Sequence, residues 1–179
     1  MKTQFRTKRL LVRRPMMKDV DDIYENVNDK DVVKYLDNIP WPYRKKHAVQ
    51  YVEFGKKEWI TKDGFKFVIE FEDKVVGVIA LDKCDKKNKR AILGYSLGKK
   101  YWGMGIMTEA VKGLINWGFK EVKLVKILSE IGISNIGPWK IAKKAGMRKV
   151  GILEKHYISR RKKWEDCYLF EILREDWKG

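Results

Sequence analysis

The chain has 179 residues, 44% of them hydrophobic, and a formal net charge of +16. This length and apolar content predict one folded domain over residues 1–179 and exclude an intrinsically disordered protein. No apolar run approaches the ~18 residues that a membrane-spanning helix needs. The basic N-terminus also lacks the apolar core of a secretory signal, so we expect a cytoplasmic protein with no membrane partner.

Charge and cysteine content narrow the possible partners and cofactors. The excess of Lys and Arg favours attraction to phosphorylated ligands, nucleic acid or an acidic protein. Acidic residues are interleaved with the basic ones along the chain, so a solvated, lysine-rich surface is the favoured interpretation. The two cysteines, Cys84 and Cys167, lie far apart and outside any CxxC pattern. We therefore expect reduced thiols and no metal site.

Hydrophobic periodicity predicts secondary structure along most of the chain. In chain order, the predicted elements are a strand at 9–14, helices at 19–27 and 44–60, strands at 65–71, 74–82 and 91–97, a helix at 106–119, a strand at 124–131, a helix at 136–145, and strands at 147–157 and 164–173. The order β-α-α-β-β-β-α-β-α-β-β predicts a mixed α/β (α+β) fold in which helices flank a twisted central sheet. It excludes a doubly wound fold.

The segment from Gly94 to Phe119 carries the strongest chemical signal. A strand ends in a loop that contains Gly103 and Gly105, and a helix begins directly after it. Because glycine has no Cβ, backbone N–H groups in this loop can approach an anion closely, and the helix N-terminus adds positive potential. The spacing is neither GxGxxG, since residue 108 is Thr108, nor GxxxxGK[ST]. The segment therefore predicts a phosphate site of another kind.

The sequence KYWGMG at 100–105 resembles the Q/R-x-x-G-x-G/A signature of the GNAT acetyltransferases, with Lys100 in place of Gln or Arg. The longer run GYSLGKKYWGMGIMTEA resembles the branch that contains the RimJ and RimL ribosomal-protein N-terminal acetyltransferases. Nearly the whole chain shares this resemblance, in the right order, through TKRLLVRRP at 7–15, IPWPY at 39–43, NIGPWKIAKKAGM at 135–147, GILEKHY at 151–157 and WEDCYLFEILREDW at 164–177.

The resemblance implies a mostly antiparallel sheet and an acetyl-CoA-dependent N-acetyltransferase that moves an acetyl group directly to an amine. The Leu97 N–H would polarise the thioester carbonyl. Backbone groups of Tyr95 and Leu97 would pair with the pantetheine arm, and Asn135 would contact it. The complete set of expected cofactor-binding residues is Tyr95, Leu97, Lys100, Trp102, Gly103, Met104, Gly105, Ile106, Met107 and Asn135.

The catalytic acid and base are less clear from the sequence. Pro138 and Ala142 stand where family members carry a Ser and a Tyr that can protonate the leaving thiolate. A thiolate can also leave unaided or take a proton from water. His156 is the first candidate base, because imidazoles titrate near neutrality, and Glu130 is the second. A water relay is an alternative to both, and each residue also has a purely structural interpretation.

The acceptor is the least determined part of the prediction. Trp41 and Tyr43, in the aromatic turn, are expected to line the acceptor pocket. The branch resemblance favours the N-terminal α-amine of a protein or peptide, of the ribosomal-protein type, and the basic charge suggests proximity to the ribosome or RNA. A small-molecule amine acetyltransferase and a CoA-binding module without turnover are the alternatives. Monomer and homodimer both stay open.

Overall fold

The computed structural model describes residues 1–34, 36, 39–160 and 162–179, and its centre is one eight-stranded sheet. The strands are β1 (Gln4–Arg6), β2 (Leu11–Arg13), β3 (Phe65–Phe71), β4 (Lys74–Asp85), β5 (Arg90–Leu97), β6 (Lys126–Gly132), β7 (Arg148–Ile158) and β8 (Trp164–Leu173). Their spatial order is β1-β2-β3-β4-β5-β6-β8-β7. Every neighbouring pair is antiparallel except β5 and β6, which are parallel.

The helices are α1 (Val20–Val27), α2 (Lys30–Val33), α3 (Lys45–Thr61), α4 (Ile106–Trp117) and α5 (Ile136–Lys144). The predicted mixed α/β fold is confirmed, and the predicted elements recur within a few residues of their expected bounds. Two elements were not predicted, namely β1 with three residues and α2 with four. Both are too short to show hydrophobic periodicity, and α2 begins where the Asp29 side chain accepts the N–H groups of Asp31 and Val32.

Alternate residues of each strand point to opposite faces of the sheet, and helices cover both faces. On β3, Phe67 packs in a large cluster with α4 and α5, whereas its neighbour Val68 packs in a smaller cluster with α1 and α3. On β6, Ile127 and Ile131 belong to the α4/α5 cluster. Because side chains alternate along a strand, Glu130 points to the opposite face, which α1 and α3 cover.

The parallel strands β5 and β6 diverge soon after they begin to pair. Arg90 to Ile92 pair with Lys126 to Leu128, and no later residue of β5 pairs with β6. On its other side, β5 stays paired with β4 as far as Leu97. One edge of β5 is thus open from Leu93 to Leu97, and this opening positions the site described next. None of the helices in the described ranges combines the length and apolar character needed to cross a membrane.

Candidate active site

A cleft of about 510 Å³ lies in the opening between β5 and β6. The open edge of β5 from Tyr95 to Leu97 forms one wall, and Asn135 to Pro138 at the start of α5 form another. The loop that leads into α4 closes one end. Val32 and Leu36, at and after α2, line the cleft as well. The β5 edge and the glycine loop, which are close in sequence, therefore meet the more distant start of α5 at one cavity.

Backbone N–H groups of β5 point into this cleft. The Gly98 N–H donates to the Val76 carbonyl at 2.9 Å, so it faces β4. Because N–H groups alternate along a strand, those of Tyr95 and Leu97 face the opposite side, toward the divergence. The Leu93 carbonyl faces the same side, since it accepts the Ser129 hydroxyl at 3.3 Å. This edge can pair with an extended ligand as an added strand would.

The glycine loop has the backbone conformation that its sequence requires. Gly103 and Gly105 have φ of 79° and 75°, in the left-handed region that other residues adopt at a cost. No atom lies within 4 Å of the position that a Cβ on Gly103 would occupy. Gly105 caps α4, whose first residues, Ile106 and Met107, are 0% and 3% exposed. Their buried side chains anchor the helix start, and its first N–H groups have no intrahelical partner.

Other predicted cofactor residues lie at varying distances from the cleft. Trp102 lines it and is 47% exposed, and its indole Nε1 donates to the Leu97 carbonyl at 2.8 Å. Sequence reasoning assigned only the Trp102 backbone and missed this side-chain contact. Lys100 and Met104 are exposed and are not among the lining residues; the Lys100 ammonium lies 5.0 Å from the Tyr101 ring centroid. Asn135 lines the cleft directly before α5.

We expect Trp102→Phe to tighten acetyl-CoA binding about fivefold, because the indole N–H competes for a carbonyl on the edge that the pantetheine arm would use. A net hydrogen bond contributes about 1 kcal/mol, which corresponds to that factor. Titration calorimetry measures the change, with Trp164→Phe, at a 60% exposed position on β8, as the matched control. Weaker binding by Trp102→Phe would show instead that the indole itself contacts the cofactor.

Arg9 and Glu109 brace the glycine loop from the far side. The Arg9 Nη1 donates to the Met104 carbonyl at 3.1 Å, and its Nε pairs with Glu109 Oε2 at 2.7 Å. Glu109 Oε1 also accepts the Thr7 hydroxyl at 2.6 Å. No local pattern predicts this contact, because Arg9 lies just before β2 and Glu109 lies a hundred positions later in α4. Arg9 thereby fixes the loop, with its charge balanced by Glu109.

The start of α5 is tied to β5 at Pro138, where the family that the sequence resembles carries a serine hydroxyl. The Tyr95 hydroxyl donates to the Pro138 carbonyl at 3.1 Å, and burial raises the pKa of Tyr95 well above its ordinary value. Ala142, where many proteins of the resembled family carry Tyr, is 2% exposed and packed in the core. The cleft thus keeps one tyrosine hydroxyl near α5, but it is already engaged with the backbone.

The two candidate bases are hydrogen-bonded to each other. His156 Nε2 lies 3.1 Å from Glu130 Oε2, although β8 separates their strands in the sheet. A register shift between Leu153 and Tyr157 makes this possible, and within it Lys155 has φ of 45° and its N–H donates to Asp166. The side chains are 34% and 25% exposed, so solvent reaches the pair.

The predicted acceptor residues lie outside the walls of the cleft. Tyr43 is 5% exposed and packs against Tyr24 and His47, and burial raises its pKa to about 12. Its side chain is therefore part of the core between α1 and α3. Trp41 is 42% exposed but is not among the lining residues. On this side the cleft is formed by Val32 and Leu36, which sequence reasoning did not single out.

Comparison with known proteins decides the family. Residues 9–148 match the family model described as acetyltransferase (GNAT) domain. The chain belongs to the GNAT acetyltransferase family. It is 31% identical over 171 residues to the uncharacterized N-acetyltransferase YnaD of Bacillus subtilis (strain 168). The alignment covers 96% of this chain and 97% of YnaD. The predicted enzyme class, an N-acetyltransferase, is thereby confirmed.

Solved structures share the fold of this GNAT acetyltransferase. The ribosomal-protein-S5-alanine acetyltransferase of Vibrio fischeri aligns with a TM-score of 0.87 at 23% identity, over 99% of this chain and 100% of that one. The microcin C7 self-immunity acetyltransferase MccE, in complex with acetyl-CoA and AMP, aligns with a TM-score of 0.83 at 22% identity, over 93% of each chain. These neighbours differ in the acceptors that their names imply, so the fold alone does not name an acceptor.

Proposed function

We propose that this enzyme transfers an acetyl group from acetyl-CoA directly to the N-terminal α-amine of a protein or peptide. The observation that carries the proposal is the position of Glu130 relative to the open edge of β5. Ile92 and Leu128 are the last pair before the strands diverge, and Glu130 follows two residues later on β6, on the side of the open stretch of β5. Glu130 and His156 are not among the residues that line the cleft, so in this proposal the pair accepts the amine's proton from beyond the open edge of β5.

The residues of the cleft fit acetyl-CoA as the acetyl donor. The cleft offers an extended backbone edge for the amide-rich arm, with outward N–H groups at Tyr95 and Leu97. At its end, Gly103, Gly105 and the α4 N-terminus offer N–H groups and positive potential for a pyrophosphate. The Leu97 N–H is our proposed donor to the thioester oxygen, where negative charge develops during attack.

The Glu130–His156 pair supplies a route for the amine's proton. If His156 Nε2 carries the hydrogen that Glu130 accepts, His156 Nδ1 is free to take a proton from the attacking amine, and Glu130 stabilises the imidazolium that forms. The other Glu130 oxygen is the second possible acceptor. An α-amine, with an ordinary pKa of about 8, needs only a modest base near neutrality.

Transfer is proposed to be direct, with no acetyl-enzyme. The amine nitrogen forms a bond to the acetyl carbon, the carbon–sulfur bond breaks, and CoA leaves as a thiolate that takes up a proton. Neither cysteine lines the cleft. Cys167 is 3% exposed, and burial raises the pKa of Cys84 to about 12, so both lack the character of an activated nucleophile.

A polypeptide N-terminus fits the charge of the molecule better than a polyamine does. The formal charge of +16 repels small polycations, whereas a protein N-terminus carries one weakly basic amine. The likeness to a ribosomal-protein acetyltransferase over 99% of the chain also supports this acceptor. Proximity to the ribosome or RNA is part of the same proposal and rests on the charge alone.

An acceptor panel tests the proposal. CoA-thiol release is followed with a peptide that has a free N-terminus, the same peptide with a blocked N-terminus and one internal lysine, a free amino acid mixture, and spermidine. We expect release with the free peptide only, and mass spectrometry should place the acetyl group on its α-amine. Turnover confined to spermidine, to free amino acids or to the blocked peptide would contradict the proposed acceptor.

A further inference from the structure

The turn between β7 and β8 holds the backbone that follows α2 through a single side chain. Arg160 Nε donates to the Val33 carbonyl at 3.0 Å, and Nη2 donates to the Leu36 carbonyl at 2.6 Å. Nη2 also donates to the Ile39 carbonyl. More than 120 positions separate Arg160 from these partners in sequence, so no local rule predicts the contact.

Two of the three carbonyls also accept a local backbone N–H: the Val33 carbonyl that of Leu36 at 3.0 Å, and the Leu36 carbonyl that of Ile39 at 3.2 Å. Helix α2 has only four residues, so short turn-type bonds are the local support of this backbone, and each carbonyl oxygen has a second lone pair that can accept a further donor. A guanidinium carries several N–H donors in a fixed planar arrangement, so one arginine can satisfy several carbonyls at once, and its charge suits a helix C-terminus. Arg160 therefore adds long-range donors to a backbone that short local bonds alone would otherwise hold.

The backbone that Arg160 contacts carries one wall of the cleft, and the predicted cofactor-binding residues do not contribute to this wall. Val32 and Leu36 line the cleft. Arg160 donates to the carbonyl of Leu36 itself and to that of Val33, the neighbour of Val32. Val33 packs with α1 and α3, on the face of the sheet toward which Glu130 points. Asp31 of α2 also forms an exposed ion pair with Lys99, at 2.5 Å. Exposed pairs of this kind hold a segment weakly.

We propose that Arg160 is a positioning residue for the acceptor: it fixes the backbone at Val33, Leu36 and Ile39 so that Val32 and Leu36 present a preformed wall to the incoming amine. This proposal rests on the proposed function, from which the direction of acceptor entry is taken. It assigns the β7–β8 turn a role in acceptor affinity, with none in cofactor binding or in the chemical step.

Steady-state kinetics of Arg160→Ala test this role with the best acceptor from the panel. We expect the acceptor KM to rise roughly tenfold, because a loosened wall must be ordered on binding, while kcat stays within about twofold. The Kd of acetyl-CoA should not change. Arg160→Lys should give an intermediate KM, since an ammonium cannot reach all three carbonyls together. Arg148→Ala, at the opposite end of β7, is the matched control for the lost charge.

Hydrogen exchange gives a second readout that needs no acceptor. In Arg160→Ala, the described amides from Val33 to Ile39 should exchange about tenfold faster, while those of α4 keep their protection. An unchanged acceptor KM would overturn the proposal, and so would a parallel loss of acetyl-CoA binding, which would indicate general unfolding. Failure of the proposed function gives a result distinct from failure of this proposal, because the wild-type chain would then acetylate no peptide N-terminus. The KM values of wild type and Arg160→Ala would in that case be compared with the amine that the wild-type chain does acetylate.

Discussion

Gly103→Glu is expected to abolish the thermal stabilisation that acetyl-CoA gives the wild-type chain. A ligand at a hundred times its Kd stabilises the native state by about 2.7 kcal/mol, and the whole of that shift should disappear. Two effects act together. The new side chain puts a carboxylate where we place the pyrophosphate, and φ of 79° at this position strains any residue with a Cβ. Differential scanning fluorimetry with and without acetyl-CoA measures the result.

Two further variants separate charge from strain. Gly103→Ala introduces the strain, about 1–2 kcal/mol, without the carboxylate, so it should lower the melting temperature but keep most of the ligand-induced shift. Gly151→Glu adds the same charge on β7, where no atom lies within 4 Å of a new Cβ and φ is not positive, and it should keep the full shift. A normal shift in Gly103→Glu would remove the glycine loop from the cofactor site.

Local patterns made most of the fold predictable. Strand β3 at Phe65–Phe71 and helix α4 from Ile106 were expected within a residue, because hydrophobic alternation and helical spacing reflect which face each element buries. The divergence of β5 from β6 was not expected from any pattern in the sequence. It depends on where a parallel pairing between residues about 36 positions apart stops, and such non-local pairing leaves no periodic signal.

The same distinction applies to the site. The glycine loop and the helix after it form one continuous segment, so its geometry follows from residue types alone. Three contacts of the site join a side chain to a backbone carbonyl outside its own local pattern, and residue types do not predict them. They are Arg9 to Met104, the Trp102 indole to Leu97, and Arg160 to the end of α2. Tyr43 illustrates the opposite problem, since an aromatic turn residue can face the core as readily as a pocket, and here it faces the core.

The Glu130–His156 contact changes the experiment that the sequence alone suggested. Sequence reasoning treated the two residues as rivals, whereas a 3.1 Å hydrogen bond makes them members of one proton-accepting unit. We expect His156→Ala and Glu130→Gln each to lower kcat by roughly 10²-fold, with acetyl-CoA affinity unchanged. Glu154→Gln, an exposed carboxylate on the same strand as His156, is the matched control and should keep full activity.

The double variant decides how the pair works. If one residue takes the proton and the other only orients it, removing both should cost no more than the worse single change, because the function is already lost. Independent bases would instead give losses that multiply. The residue whose single variant also removes the acid limb of the kcat–pH profile is the one that accepts the proton. If all three variants retain near-wild-type kcat and the profile follows only the substrate amine, the pair is structural, and catalysis would rest on the positioning of the amine against the Leu97 N–H and its thioester.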